Sequence, residues 1–600
     1  MSGVPNLPET VPRTAKAAAD SPVTQVDLED TPIDNFRRLR VIVIGAGFSG
    51  INCGIRIPQR LRNVDSTIYE KNAGVGGTWF ENRYPGCACD VPAHSYQYSY
   101  APNPEWRSFY ATGPEIHEYL EGVAEEFSAT RFIKCNHAVQ SCNWDKDSST
   151  WRVTVKNSLT GETFIDEANI VISARGSLNE YKWPNIPGLK DFRGTLMHSA
   201  AWDPKAELDG RTIGIIGAGS SAIQIVPELQ SRVDVKLKCF IRSRTWISPP
   251  FGAQTMQRLG LDGLDFSEEQ KQRFLDDSER YHSFRKVVEQ DGNSMHFLTH
   301  SDSEMQRMVR DLCEGIMDSC LSTHPEIAEK IKPSFAVGCR RLTPGLGFLE
   351  AMTKENVEFI GTEIEKITPG GIMLSNGSEI KLDVLICPTG FNAAHAPPFP
   401  VTGLRSMDMA SRFVPYPKTY LGLAMNDFPN YFSILGPNSL IGTGSLTMML
   451  ESEVDYIVKC IRKMQRENIR SMNVKSERVE ELSKYVDEYF KQTVYLDGCS
   501  SWYRSDGGRG SRVVGLWPGS CLHAIEAFRA PRWEDFDYEY EREENGSFVS
   551  QLKWLGNGFT HSQRFGGGDL AFYLEPEYLD VPSSPLPEET RVNQIRSFCY

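Results

Sequence analysis

Two glycine-rich turns carry the residue types and the spacing that hold dinucleotides. One lies in VIVIGAGFSG and the other in TIGIIGAGSSA, each between a β-branched run and a helix-compatible segment. In that context the small residues let the backbone approach a pyrophosphate, whose charge then lies at a helix N-terminus. Two turns in one chain predict two dinucleotides with electron transfer between them, and their small residues are Gly45, Gly47, Gly50, Gly217, Gly219 and Ala222.

The residues that follow each turn predict different cofactors. Glu70 ends the segment STIYEK, about 20 residues after the first turn, where an acid accepts a hydrogen bond from a ribose hydroxyl and repels a 2′-phosphate. The first turn therefore fits FAD or NAD. The strand after the second turn, VKLKCFIRSRT, has no acid at its end and carries Arg242 and Ser243 instead. An arginine there can pair with the 2′-phosphate of NADPH; the alternative for Arg242 is a solvated surface charge.

The segment at residues 74–100, GVGGTWFENRYPGCACDVPAHSYQYSY, combines glycines, aromatic rings and a carboxylate, Asp90, that follows a Pro-Gly turn. Glycines allow the backbone to approach a flat ligand closely, and aromatic rings offer faces for it. Loops of this length inside a compact domain are more often functional than structural. The segment therefore predicts a bed for a flavin ring; the alternative is a surface loop with aromatic packing.

Part of this loop, GGTWFENRYPGCACD, resembles the flavin-contact segment of the Baeyer–Villiger monooxygenases. Residues 192–203, FRGTLMHSAAWD, are similar to the family fingerprint F-x-G-x-x-x-H-x-x-x-W-[P/D], and residues 338–352, GCRRLTPGLGFLEAM, to the segment with its active-site arginine. Related monooxygenases that oxidise nitrogen and sulfur usually have Tyr or Phe in place of Trp202. The resemblance runs from about residue 36 to about residue 560 and is greatest to fungal members that act in secondary metabolism.

The resemblance implies roles for individual residues. It assigns catalysis to Arg341, oriented by Asp90, because a guanidinium is permanently cationic and rich in hydrogen-bond donors. Trp502 would contact the nicotinamide cofactor, and His198 would have a structural role in the linker between domains. The expected cofactor-binding residues are Gly45, Gly47, Phe48, Gly50, Glu70, Gly77, Thr78, Trp79, Asp90, Val91, Tyr96, Val139, Gly217, Gly219, Ser220, Ser221, Ala222, Arg242, Ser243 and Trp502.

The resemblance also implies a reaction, with FAD and NADPH as cofactors and O2 and a small-molecule ketone as substrates. In the family, NADPH reduces FAD, the reduced flavin and O2 form a C4a-peroxide, and this attacks the ketone to give an ester or lactone. The fungal relatives make a polyketide or terpenoid the expected substrate class. The alternatives are hydroxylation, epoxidation or heteroatom oxidation, an NADPH oxidase that releases peroxide, and a dinucleotide sensor without enzymatic activity.

The elements that must position these residues form, by the same resemblance, an α/β fold with two Rossmann-like dinucleotide-binding domains and a helical insertion. Residues 253–336 show the i, i+3, i+4 spacing of apolar residues that is typical of amphipathic helices. The expected order along the chain is a disordered tail (1–35), a first FAD-binding segment (36–175), a first NADPH-binding segment (176–252), the helical insertion (253–336), a second NADPH-binding segment (337–384), a second FAD-binding segment (385–580) and a C-terminal tail (581–600).

Composition excludes other classes of protein. A formal net charge of −14 and the lack of a basic block argue against a nucleic-acid partner, and no apolar run reaches the length of a membrane span. The fourteen cysteines include no C-x-x-C pair, which fits small buried side chains in a reducing compartment, and a cytoplasmic location is expected. Neither the cysteines nor the eleven histidines show metal-ligand spacing, so no metal is expected. Arg175 stands where the family has threonine, and its role stays open.

Overall fold

The structure is a computed structural model that describes residues 30–34, 37–250, 252–258, 260–261, 263–345, 347–393, 395–541 and 552–574. Most of the expected N-terminal tail and all of the expected C-terminal tail therefore lie outside the described residues.

The first parallel sheet is built around the apolar run LRVIVI, which is buried almost throughout because both faces of the sheet are covered. The run ends at Gly45, and helix Phe48–Arg60 begins directly after the glycine turn. In spatial order the five strands of this sheet are Tyr431–Ser433, Ile170–Ser173, Leu39–Ile44, Val64–Tyr69 and Ile133–Lys134.

A second parallel sheet surrounds the second turn in the same way. Thr212–Ile216 leads into Gly217, and helix Ser220–Gln230 begins after Gly219. In spatial order its five strands are Val357–Ile360, Lys236–Phe240, Thr212–Ile216, Val384–Cys387 and Thr195–His198. The two parallel sheets confirm the predicted α/β fold. The expected domain boundary between residues 384 and 385 falls inside the strand Val384–Cys387, because that buried strand pairs with two others of the second sheet.

Smaller sheets flank the two parallel ones. A four-stranded sheet beside the first contains Val401–Thr402, His137–Asp145, Thr150–Asn157 and Thr163–Ala168, and an antiparallel sheet beside the second contains Ile364–Thr368, Gly371–Leu374 and Glu379–Lys381. The remaining strands form two pairs, Ile247–Ser248 with Thr343–Pro344 and Ile469–Val474 with Phe536–Tyr540.

The predicted insertion is helical. Its helices are Ala253–Arg258, Glu268–Asp276, Ser278–Ser294, Glu304–Cys320 and Pro325–Ile331. It docks on the loop that follows Asp90 through His94, whose Nδ1 lies 2.9 Å from the Tyr281 hydroxyl and whose ring is packed against Phe266 and Phe284. Burial lowers the pKa of His94 to about 3, so this histidine is neutral and acts as a packed aromatic ring.

The other α-helices are Thr78–Glu81, Gly113–Glu126, Phe348–Met352, Leu446–Arg466, Ser476–Phe490, Ser505–Gly508, Cys521–Phe528 and His561–Phe565. The short 3₁₀ helices are Ala129–Phe132, Leu189–Asp191, Met295–Thr299, Leu404–Ser406, Ala410–Phe413, Val494–Leu496, Trp533–Asp535, Lys553–Leu555 and Phe572–Leu574. None of the helices in the described ranges combines the length and the apolar character needed to cross a membrane.

Candidate active site

One cavity of about 1440 Å³ is lined by residues that follow the carboxyl ends of strands in both parallel sheets. This is the edge at which open parallel sheets bind ligands. Nearly all residues predicted for the site line it: Gly45, Gly47, Phe48, Glu70, Gly77, Thr78, Trp79, Asp90, Val91, Tyr96, Val139, Gly217, Gly219, Ser220, Ser221, Arg242, Ser243, Arg341 and Trp502. Gly50 and Ala222 do not line it. Both lie in the first turn of their helices and are buried.

The first glycine turn leaves no room for a side chain at Gly45 or Gly50. A Cβ atom on Gly50 would lie 1.9 Å from the carbonyl oxygen of Gly45, and one on Gly45, whose φ is 102°, would lie 2.8 Å from the carbonyl oxygen of Ala174. Gly77, with a φ of 54°, meets the turn from the opposite side, since its Cβ would lie 3.0 Å from the Cα of Gly47. The turn thus presents bare backbone at the start of a helix, which fits a pyrophosphate.

Glu70 is buried at the edge of the cavity, directly after its strand. One carboxylate oxygen accepts a hydrogen bond from the backbone N–H of Ala46 at 2.7 Å, and the other accepts one from Asn72 at 2.8 Å. The glycine turn itself therefore orients this carboxylate. Each oxygen still has a lone pair for the ribose hydroxyl that the sequence predicts.

The loop at residues 74–100 lines the cavity with aromatic rings. Trp79 and Tyr96 meet edge to face with their ring centres 5.6 Å apart, and the indole N–H of Trp79 donates to the Tyr96 hydroxyl. Phe48 packs against Tyr96 with a centre distance of 5.1 Å. These mutual contacts fix the ring positions, which is the property a bed for a planar ligand needs.

The second glycine turn is more open. A Cβ on Gly217 would meet its nearest atom, the Pro388 carbonyl oxygen, at 3.6 Å, and a Cβ on Gly219 would meet none of the described residues within 4 Å. The Ser220 hydroxyl lies 2.6 Å from that of Thr343, which ties this turn to the segment that carries Arg341. Ala222 is accommodated because its methyl group is buried in the apolar core beneath the turn.

Three arginines lie near the end of the strand that follows the second turn. Arg242 is exposed and lines the cavity. Arg244 donates instead to the carbonyl oxygen of Lys332, away from the cavity. Arg340, which was not among the residues predicted from the sequence, lines the cavity and donates to the carbonyl oxygen of Arg244 at 3.1 Å. The doubled arginine of GCRR was the signal that could have identified it.

Arg341 and Asp90 form a bidentate ion pair. The Nε of Arg341 donates to Oδ2 of Asp90 at 2.8 Å, and Nη2 donates to Oδ1 at 2.6 Å. Burial alone lowers the pKa of Arg341, but the charge and hydrogen bonds of Asp90, helped by Tyr503, raise it above its usual value. The guanidinium is therefore a fixed cation. About a third of its side chain is exposed, and because both partners line the cavity, that exposure faces the cavity.

Contacts across the cavity join the loop at residues 74–100 to helix Ser220–Gln230 of the second domain. The Tyr84 hydroxyl donates to the side chain of Gln224 at 2.8 Å, and the amide of Gln224 donates to the carbonyl oxygen of Ala88 at 2.9 Å. A Cβ on Gly86 would lie 2.5 Å from the backbone carbonyl oxygen of Gln224, so the loop touches helix Ser220–Gln230 directly. Asp90 and Arg341 consequently lie at a packed junction of the two domains.

Two further residues, His198 at the end of a strand of the second sheet and Arg175, have structural contacts. His198 is buried and stacks on Tyr181 with ring centres 4.7 Å apart, and burial lowers its pKa to about 4. A neutral packed ring is what the expected structural role requires. Arg175 donates to the carbonyl oxygen of His395 at 2.8 Å and lines the cavity. This hydrogen bond links the segment after the strand Ile170–Ser173 to the segment after the strand Val384–Cys387.

The cysteines follow the sequence expectation with one exception. Eleven are free among the described residues, and nine of these are buried. Cys339 and Cys499 instead form a disulfide that was not predicted, because the two residues are 160 positions apart and share no spacing pattern. Within the described ranges, no group of three or more His, Cys, Asp or Glu side chains could hold a metal ion.

Comparison with known proteins gives consistent results. Residues 38–255 match the family described as flavin-binding monooxygenase-like. The chain is 37% identical to the FAD-binding monooxygenase tazF of Aspergillus terreus, over 91% of this chain and 96% of that protein. It is 33% identical to a Baeyer–Villiger monooxygenase of Pseudomonas aeruginosa, over 80% of this chain and 88% of that protein.

The fold is similar to that of solved structures. The closed crystal structure of cyclohexanone monooxygenase has a TM-score of 0.72 and 24% identity, with coverage of 84% of this chain and 100% of that one. The crystal structure of OTEMO in complex with FAD and NADP has a TM-score of 0.72 and 22% identity, with coverage of 84% and 99%.

Proposed function

Because the chain belongs to the family of FAD-binding monooxygenases of the Baeyer–Villiger type, we propose that it inserts one oxygen atom of O2 beside a ketone carbonyl. The product would be an ester or lactone. The paired Arg341 and Asp90, held at the junction of two dinucleotide sites, are the observation that carries this proposal.

The residues fit both cofactors. Gly45, Gly50 and Gly77 form a backbone cradle that a Cβ would fill, and Glu70 stands ready for a ribose, as FAD requires. The second turn leaves more space and has Arg242 and no acid beyond it, as NADPH requires. When bound, NADPH supplies the electrons and FAD passes them to O2 to activate it.

The protein's own contribution is a fixed positive charge at a packed domain junction. Arg341 keeps its proton under all ordinary conditions, and Asp90 holds two of its donors so that the remaining donors keep one direction. Such a preorganised donor stabilises the negative charge that develops on the oxygen of the attacked ketone, typically by about 3–4 kcal/mol. Asp90 acts by positioning this guanidinium.

Arg242 and Arg340 support a preference for NADPH over NADH. Both line the cavity at the end of the second-turn strand, and Arg340 is held by the backbone of Arg244. A pair of guanidinium groups suits a 2′-phosphate, which carries two negative charges. Trp502 lines the same cavity and would contact the nicotinamide end.

The fungal relatives suggest a metabolic role and a substrate class. Proteins named tazF, moxY and stcW, from Aspergillus terreus, Dothistroma septosporum and Emericella nidulans, are 34–37% identical to this chain. We therefore propose a role in secondary metabolism, with a polyketide or terpenoid ketone as substrate. The eleven free cysteines of the described ranges fit a reducing compartment, and the cytoplasm is the proposed location.

The test is product analysis under labelled oxygen. The purified holoenzyme is incubated with NADPH and 18O2, separately with cyclic ketones, aryl ketones and an aryl sulfide. The proposal predicts esters or lactones that each contain one labelled atom. Sulfoxide or hydroxylated products without any ester would contradict the ketone assignment and favour the alternative oxygenations. Hydrogen peroxide as the only oxygen product, with every ketone, would favour an oxidase.

A further inference from the structure

The disulfide joins two segments that line the cavity. Cys339 lies two residues before Arg341, and Cys499 lies three residues before Trp502 and four before Tyr503. All three of these later residues line the cavity. The bond therefore connects the proposed catalytic cation to the loop that would contact the nicotinamide.

Polar contacts link the two segments beside the disulfide. The backbone N–H of Ala336 donates to the Asp497 carboxylate at 2.6 Å, and Arg504 donates to the carbonyl oxygens of Asp497 and Cys499 at 2.9 and 3.0 Å. Beyond them, the Tyr503 hydroxyl forms a hydrogen bond with Arg341. These bonds orient the loop base, but the disulfide is its covalent anchor.

Backbone hydrogen bonds hold the tip of the loop after Cys499. Ser501 donates to the carbonyl oxygen of Gly508 at 3.0 Å, and Gly510 donates to that of Ser505 at 2.8 Å. Asp506 and Gly507, at its tip, are exposed. The base of the loop is packed, since Tyr503 and Val513 are buried in an apolar cluster, but residues 504–510 have no apolar side chain, and segments with few buried apolar contacts open at low free energy. The position of this loop over the cavity therefore depends on how its base is fixed.

The sulfur atoms are buried but close to solvent and to the cavity. Cys339 is fully buried and Cys499 is 6% exposed. The neighbours of Cys499, Gly498 and Ser500, are both exposed, and Ser500 also lines the cavity. The pair therefore lies directly beside exposed residues on the Cys499 side.

We propose that Cys339 and Cys499 are a redox-controlled clamp on the nicotinamide side of the active site, an inference that rests on the proposed function. In the oxidised form the disulfide holds Trp502 and Tyr503 against Arg341. In the dithiol form the loop base is released, NADP+ binds more weakly and the guanidinium loses its contact to Tyr503. Reducing conditions thereby lower the coupling of NADPH use to oxygenation.

The oxidant is hydrogen peroxide, which a flavin monooxygenase releases when reduced cofactor and O2 meet without substrate. The two thiols give up two protons and two electrons, one bond forms between the sulfur atoms, and the peroxide is reduced to two molecules of water. A dithiol reductant reverses the step: it is oxidised to its own disulfide, and the two protein thiols re-form. The enzyme's own side product would thus tighten its active site.

The test compares oxidised and reduced holoenzyme with the variant Cys499→Ser. The matched control is Cys320→Ser, because Cys320 is a free, half-buried cysteine outside the cavity lining. Peptide mapping after treatment with one equivalent of peroxide reports the disulfide. Hydrogen exchange of residues 497–515 reports the loop, and the change of tryptophan fluorescence on addition of NADP+ reports binding.

The clamp predicts a linked Cys339–Cys499 peptide in oxidised wild type and in the Cys320→Ser control, with slow loop exchange in both. Reduced wild type and Cys499→Ser should exchange faster over 497–515 and bind NADP+ about tenfold more weakly, if the released loop is in place about a tenth of the time. Should Cys499→Ser fail to fold, reduced wild type gives the same comparison.

Two results would overturn the clamp. One is that both thiols stay free after peroxide treatment; the other is that the disulfide forms while loop exchange and NADP+ affinity stay the same as in the reduced protein. Neither readout needs turnover of a ketone. A chain that fails to form esters but shows the linked peptide, slower exchange and tighter NADP+ binding would contradict the proposed function and leave the clamp in place.

Discussion

The two glycine turns have the same sequence pattern but different surroundings. At the first turn an added Cβ would collide with backbone at 1.9 Å on Gly50 and 2.8 Å on Gly45, and a buried glutamate accepts a hydrogen bond from the turn. At the second turn an added Cβ would have at least 3.6 Å to the nearest described atom at both Gly217 and Gly219, and the position that matches Gly50 already carries the buried methyl group of Ala222. The tight turn suits a cofactor that stays bound, and the open turn suits one that must enter and leave in every cycle.

The largest expected effect is that of Gly50→Ala. Its methyl group cannot fit 1.9 Å from a backbone oxygen, so the turn has to shift, and overpacking of this kind costs about 1–3 kcal/mol or more. We expect a lowered melting temperature and a purified protein that has lost most of its FAD, measured by flavin absorbance per mole of protein. Full flavin content with unchanged melting would show that the first turn is not tight.

A smaller effect is expected for Arg242→Ala. Loss of a charge-assisted hydrogen bond to the 2′-phosphate should weaken NADPH by about 1.5–3 kcal/mol and leave NADH almost unchanged. The measurement is the rate of flavin reduction against the concentration of each nucleotide. Arg244→Ala serves as the matched control, because Arg244 donates to the Lys332 carbonyl away from the cavity. Equal losses for both nucleotides would contradict the assignment of the second turn to NADPH.

The smallest effect is expected for Gly219→Ala in the open turn, at the position that matches Gly47 of the first turn. A Cβ there meets none of the described residues within 4 Å, so the FAD content and the melting temperature should stay within error of wild type. The methyl group would project toward bound NADPH, and a modest rise in its KM is the only change expected. A variant that lost FAD would remove the distinction between the two turns.

The sequence predicted the residues of the cavity better than their arrangement. Local patterns identified both turns, Glu70 and the aromatic loop, since each depends on neighbours in the chain. The pairing of Arg341 with Asp90, 251 residues apart, came only from the family resemblance. The geometry that the structure adds to it, two bonds of 2.6 and 2.8 Å, could not be read from the chain.

Other features depended on tertiary structure alone. Cys339 and Cys499 carry no spacing signal, and their pairing follows from the packing of two distant segments. The strand Val384–Cys387 looks, in sequence, like the start of the returning FAD domain, but its pairing places it in the second sheet. Arg340 adjoins the expected catalytic arginine, and only the structure shows that it lines the cavity and donates to the Arg244 carbonyl.

We infer that electrons pass between the cofactors at the two turns, while Arg341, held by Asp90, is needed only for oxygen insertion. The most direct measurement is the ratio of ester formed to NADPH consumed in Arg341→Ala, using a ketone that wild type converts. We expect continued NADPH consumption with hydrogen peroxide as product, and an ester yield lowered by about 100-fold or more, as for the loss of a preorganised donor. An unchanged ratio of ester to NADPH would contradict it.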